Sequence, residues 1–142
     1  MKTTLKQIAL GWTLILLCLF SGNAVHGETQ TDAAENPLSL EVFTICKNVV
    51  DRTPVGMDSM FSTNVGKLYC FTKVVGARTD TQITHNWFMN GKLKASITLP
   101  VQSAAWRTWS QKTIRPEDAG DWMVEVLNEA GEPIEAILFF VQ

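Results

Sequence analysis

Short runs of β-branched and aromatic residues, each closed by a turn signal, recur from residue 40 to the end of the chain. No long segment of this part repeats apolar residues at the helical spacing of three and four, whereas short runs between turn residues are typical of strands. The pattern predicts about seven strands, over Leu40–Val50, Lys67–Val75, Gln82–Met89, Lys92–Leu99, Ala104–Ile114, Asp121–Leu127 and Ile134–Val141. A long loop with Phe61 turned back into the core is expected between the first two.

Two local motifs refine this prediction. Asn90-Gly91 is the strongest hairpin signal, because a type I′ turn needs positive φ at both central residues. Trp87 precedes it and is expected in the core. About seven strands with turns roughly every ten residues indicate an all-β sandwich of two antiparallel sheets, of the immunoglobulin-like or fibronectin-III-like type.

The segment from Asp118 through Gly120 to Trp122 is similar to the corner of immunoglobulin-like domains. In that corner an aromatic ring caps the sandwich and its polar tip bonds to nearby backbone. Trp122 stands where tyrosine is usual, so we expect its indole N–H to replace the hydroxyl.

The N-terminus has the pattern of a signal peptide. Lys2 and Lys6 precede an apolar run from Ile8 to Phe20, which as a helix is only ~20 Å long against a hydrocarbon core of ~30 Å. We predict a signal peptide over residues 1–27, a flexible leader over 28–38 and the sandwich domain over 39–142. Cleavage after Gly27 and cleavage after Ala24 are both compatible with the sequence, and retention as a membrane anchor is the alternative. A cleaved chain would be periplasmic or secreted and would not span the membrane.

Cys46 and Cys70 remain in the mature chain and lie on the first two predicted strands. In an oxidising compartment such a pair predicts a disulfide, with two buried free thiols as the alternative. The pair precedes Trp87, whereas the pair of true immunoglobulin domains straddles the core tryptophan. No CxxC is present and His85 is the domain's lone imidazole, so we expect no metal site and no cofactor.

Composition and motifs argue against two classes of function. The formal net charge is −2 and no cationic stripe is present, which disfavours nucleic-acid binding. No nucleophile elbow, HExxH or phosphate loop occurs, and His85 shows no catalytic partner. We predict that the protein is not an enzyme and that His85 is half-buried near a sheet edge, where it could still contribute to binding.

Two surfaces are candidates for binding. Trp106 and Trp109 have opposite parity on one strand, so one ring should face out; beside Arg107 it could stack on a sugar, unless a loop or the arginine stem covers it. On the last strand, Leu138 and Phe140 share the face opposite the core residues. Either the Ser39–Val49 segment or another protein should cover them.

Several separate stretches, in order, are similar to the bacterial domain of unknown function 2914. They are ICKNVVDR from Ile45, LYCFTKV from Leu68, ITHNW from Ile83 and WRTWSQK from Trp106. The resemblance runs from about Glu41 to Val141. It implies a bacterial envelope protein, sometimes joined to other membrane or exported modules, and it brings no established activity.

These observations favour a non-catalytic binding domain of the bacterial envelope, whose partner is another envelope protein or a glycan. The alternative is an accessory module that recognises cell-wall or other carbohydrate through Trp109 and Arg107. The sequence leaves the oligomeric state open.

Overall fold

The structure, a computed structural model, describes residues 38–142. The predicted signal peptide and all of the predicted leader except Leu38 lie outside the described residues. Leu38 itself is buried in the core. Within residues 38–142 no helix is long and apolar enough to cross a membrane.

In the part of the chain that the structure describes, nine strands build two sheets, and the predicted all-β sandwich is confirmed. One sheet has four strands in the order β2-β1-β4-β7, and the other has five in the order β3-β9-β8-β5-β6. All strand pairs are antiparallel except β3 with β9. The strands are β1 (Ser39–Val50), β2 (Thr53–Met57), β3 (Met60–Phe61), β4 (Lys67–Val75), β5 (Thr81–Met89), β6 (Lys92–Val101), β7 (Ala105–Thr113), β8 (Gly120–Leu127) and β9 (Pro133–Val141). Short 3₁₀ turns occupy Thr63–Val65 and Pro116–Asp118.

Two short strands occupy the segment predicted as a long loop. A tight turn at Asp51-Arg52 reverses β1 into β2, with Val50 paired to Thr53. Both turn residues have positive φ, 48° and 58°, without the Asn-Gly signature that marks such turns in a sequence. The two-residue β3 then places Phe61 in the core, as predicted.

Strand β6 continues through Pro100 to Val101, although its end was expected at the proline. It is the edge strand of its sheet, where a missing backbone N–H removes no ladder hydrogen bond. Asn90 and Gly91 both have positive φ and join β5 to β6, so the predicted hairpin is confirmed.

The core between the sheets consists of two apolar clusters. The first, the Trp87 cluster, includes Trp87, Trp122 and Phe139. The second, the Ile83 cluster, includes Ile83, Val74 and Val126. The indole of Trp87 lies edge-on to Trp122 and to Phe139, a favourable arrangement for aromatic rings.

The predicted Cys46–Cys70 disulfide is not formed: both cysteines are free and buried. The register of β1 and β4 gives the reason, because Ile45 pairs with Cys70 and Cys46 pairs with Tyr69. Directly paired residues share a face and neighbours along a strand alternate. The two thiols therefore project to opposite faces of the sheet, and burial raises the pKa of both.

Candidate functional site

His85 lies in the interior of the sandwich and not near an edge as predicted. Strand β5 is flanked by β6 and β8, and the imidazole, which is fully buried, faces the other sheet. Its Nδ1 lies 2.8 Å from Ser110 Oγ on β7, and its Nε2 lies 3.4 Å from Thr72 Oγ1 on β4. This burial excludes direct contact between His85 and a surface ligand.

The hydroxyl of Ser110 is the centre of this buried network. It accepts a hydrogen bond of 3.0 Å from the indole N–H of Trp87. Thr72 donates its own proton to the carbonyl of Thr108 at 3.1 Å, so its oxygen is left to accept from His85 Nε2–H. Ser110 then donates to His85 Nδ1. With this tautomer every proton of the network has an acceptor.

The network separates the two apolar clusters. Along β5, His85 lies between Ile83 of one cluster and Trp87 of the other, all on the inward face. Burial lowers the pKa of His85 to about 4, so the ring is neutral near pH 7. A neutral and fully buried imidazole therefore bridges the two sheets.

The corner before β8 has the predicted bond. Trp122 donates its indole N–H to the Asp118 carbonyl at 2.8 Å. Gly120 has φ of 143°, and a Cβ atom there would lie 2.7 Å from Asn90 Oδ1. Asn90 also exchanges hydrogen bonds with the backbone of Asp121. Hydrogen bonds therefore join the corner to the β5–β6 hairpin.

The two tryptophans of β7 point to opposite faces. Trp106 packs against the Ile83 cluster, whereas Trp109 lies on the outer face of the four-stranded sheet and is 37% exposed. Its ring stacks on Phe71 with centroids 6.2 Å apart and planes 11° from parallel. Arg107, two residues earlier, shares this face and is exposed. One face of Trp109 thus covers Phe71, and only the exposed 37% of the residue is accessible to a ligand.

A row of apolar side chains crosses the outer face of the five-stranded sheet. The register pairs Leu93 with Phe88, Phe88 with Met123, and Met123 with Leu138, each on the next strand. Beside the row, Phe140 pairs with Met60. Leu138 is 72% exposed and Leu93 55% exposed. We call these six residues the apolar stripe.

Polar residues occupy the same face on the other side of the stripe. Asn86 pairs with Glu125 and with Ser96 in the next row, and the hydroxyls of Thr84 and Thr98 lie 3.2 Å apart in the row beyond. On β8 and β9 the same rows also include Leu127, Pro133 and Ala136. The stripe is therefore bordered by polar residues mainly along β5 and β6. Strand β1 belongs to the other sheet, so the Ser39–Val49 segment does not cover Leu138.

A pocket lies at the edge of the stripe, beside the end of β9. It has a volume of about 460 Å³ and is lined by Ser59, Asp121, Trp122, Leu138, Phe139 and Phe140. Within residues 38–142 no group of three or more His, Cys, Asp or Glu side chains could hold a metal ion.

Sequence reasoning identified Leu138 and Phe140 by their alternation along one strand. It missed Leu93, Phe88 and Met123, because these come from three other strands and become neighbours only through the register. A local sign existed in Phe88, which follows the core residue Trp87 and must face outwards.

The protein is thus a two-sheet β-sandwich with a buried polar bridge and an exposed apolar stripe. Residues 80–141 match the family model described as "Protein of unknown function (DUF2914)". This match confirms the resemblance found in the sequence for this part of the chain; it begins after the two N-terminal stretches that we also compared.

Comparison with curated proteins finds no match. Among solved structures, the chain is similar to a crystal structure of selenomethionine-labelled β-glucosidase from Kluyveromyces marxianus, at 11% identity and a TM-score of 0.39. The similarity covers 74% of this chain and 14% of that chain.

Proposed function

We propose that this is an exported protein of the bacterial envelope that acts as a non-catalytic binding domain and docks a protein partner on the apolar stripe. The observation that carries the proposal is the stripe itself. It joins six apolar side chains from five strands on one sheet face, with polar residues of β5 and β6 beside it. Contiguous exposed apolar surface bordered by polar residues is characteristic of protein-binding sites.

Export is supported by the N-terminal sequence pattern and by the family resemblance. A non-catalytic role is supported by the burial of His85, because the described residues have no other imidazole. The protein that binds is therefore expected among those the domain meets outside the cytoplasm.

Replacing Leu138 by aspartate is expected to weaken partner binding at least tenfold and to leave the fold intact. The side chain is largely exposed, so its loss removes little core packing, while a charge in a desolvated contact is costly. Binding is measured by photo-crosslinking in intact cells that express the full chain, with the photoreactive residue at position 93.

Val55→Asp is the matched control, since Val55 is 48% exposed on the other sheet. A photoreactive residue at Gln111, which is exposed on the outer face of the four-stranded sheet, gives the background. The proposal requires one adduct at position 93 that Leu138→Asp removes and Val55→Asp retains. Equal adducts at positions 93 and 111 would contradict it.

A second candidate function is carbohydrate recognition on the face of Trp109. It is favoured by the exposed part of that ring beside Arg107, which suits stacking on a sugar. The opposite orientation of Trp106 counts against it, because the two rings do not form one flat platform. This candidate therefore ranks below protein docking.

If glycan binding occurs, Trp109→Ala is expected to reduce retention of the protein on isolated peptidoglycan about tenfold. Stacking of a ring on a ligand face contributes on the order of 1 kcal/mol or more. Gln111→Ala, on the same strand and face, is the control, and thermal unfolding checks that uncovering Phe71 has not unfolded the domain. Equal retention of both variants and the unchanged protein would rule this candidate out.

A further inference from the structure

The pocket at the edge of the apolar stripe combines apolar walls with one carboxylate. Asp121 pairs with Phe140 across β8 and β9. Its backbone N–H and carbonyl both form hydrogen bonds with Asn90. Its carboxylate has neither an ion pair nor a hydrogen bond among the described residues. Among residues 38–142, no lysine or arginine lines the pocket. An exposed carboxylate against apolar walls is complementary to a cationic side chain with an aliphatic stem.

The acidic character extends beyond Asp121. Asp58 directly precedes the pocket residue Ser59, and its carboxylate accepts hydrogen bonds from the backbone N–H groups of Ser59 and Met60. Asp58 and Asp121 therefore form an acidic rim at the pocket end of the stripe.

The edge of β9 beside the pocket is open to an extended segment. Strand β3 pairs only with Phe140 and Val141, and β8 occupies the opposite side of β9. Among the described strands, none pairs with β9 beside Leu138 on the β3 side. Unpaired strand edges are templates for added strands.

On these grounds, and resting on the proposed function, we propose that the partner docks an apolar segment carrying a lysine, whose ammonium group meets Asp121 in the pocket. Apolar residues of the segment cover Leu138 and Phe140. The lysine stem lies along the apolar wall, and its charge ends at the carboxylate.

Two other occupants fit the surface less well. In a two-fold contact with a second copy the same patch faces itself, which brings acidic rim against acidic rim. Anionic lipid headgroups are repelled by the same carboxylates.

Zero-length crosslinking with a carbodiimide tests the proposal, because it joins a carboxylate to an amine only in direct contact. The full chain is crosslinked in native envelopes and the adducts are mapped by mass spectrometry. We expect an amide between Asp121 and a lysine of one protein, the same protein captured by photo-crosslinking at position 93. Asp121→Asn is expected to remove that amide and to lower the photo-adduct about tenfold, while Asp51→Asn, an exposed turn carboxylate, lowers neither.

The outcomes separate this inference from the proposed function. The lysine docking is overturned, and protein docking is left in place, by two results together. The unchanged protein forms no amide at Asp121, and the photo-adduct at position 93 is undiminished in Asp121→Asn. An adduct with the mass of a second copy, or of an amine-bearing lipid, overturns it in favour of that occupant. Loss of every specific adduct at position 93 overturns both.

Discussion

Replacing Ser110 by alanine is expected to lower the free energy of unfolding by about 2–6 kcal/mol, although only one oxygen atom is removed. The hydroxyl contacts His85 Nδ1 at 2.8 Å and accepts the Trp87 indole N–H at 3.0 Å. Both partners are fully buried. Each buried polar group left without a partner costs about 1–3 kcal/mol. The change is measured by urea unfolding followed by tryptophan fluorescence.

A graded series distinguishes this network from a general loss of packing. Thr72→Val keeps the side-chain shape and removes a hydroxyl that donates at 3.1 Å to the Thr108 carbonyl. Its 3.4 Å contact with His85 is long, so a smaller loss of about 1–3 kcal/mol is expected. Ser103→Ala, in an exposed turn, should change stability by less than about 0.5 kcal/mol. If Ser110→Ala does not fold, the test is still made by comparing the free energies of unfolding of Thr72→Val and Ser103→Ala. Equal values for these two variants would contradict a stabilising role of the network.

The sequence contained the strand pattern of this network but not its connections. Alternation places Ile83, His85 and Trp87 on one face of β5, as a local reading allows. Ser110 of β7 is 25 residues from His85 and 23 residues from Trp87 along the chain. Its contact with both side chains depends on how the two sheets are aligned. Contacts of this kind are set by packing between layers and have no local signature.

The same distinction explains which other predictions succeeded. The hairpin at Asn90 and the bond of Trp122 are encoded within a few residues, and both are present. The prediction of the disulfide was wrong because knowing that two strands are neighbours does not determine their register. A shift of one residue moves a side chain to the other face, and Cys46 lies one position from the residue opposite Cys70.

The apolar stripe could be predicted only in part. Parity along β9 was enough to predict that Leu138 and Phe140 share the outer face. The extension of this face through Met123, Phe88 and Leu93 follows from three registers. The sequence thus predicts that a candidate surface exists, and the register defines its direction and size.

Acidification is expected to destabilise the fold through His85, by about 3 kcal/mol between neutral pH and pH 4. Burial lowers the pKa of His85 from 6.5 to about 4 in the folded protein. Between these values the unfolded chain binds a proton that the folded protein does not, so stability increases with pH in this interval. The contribution is complete above about pH 6.5 and is lost as the pH falls to about 4, since each unit of pKa corresponds to about 1.4 kcal/mol.

His85→Gln separates this contribution from the titration of surface carboxylates. Glutamine carries a donor and an acceptor that can meet Thr72 and Ser110, and its amide does not titrate in this range. Urea unfolding at a series of pH values should therefore show a steeper loss of stability from pH 6.5 to 4 in the unchanged protein than in the variant. NMR titration of the folded protein should give the buried ring a pKa near 4. A ring that titrates near 6.5 would mean that water reaches His85, and parallel pH profiles for the two proteins would lead to the same conclusion. Either result would contradict a closed polar bridge between the sheets.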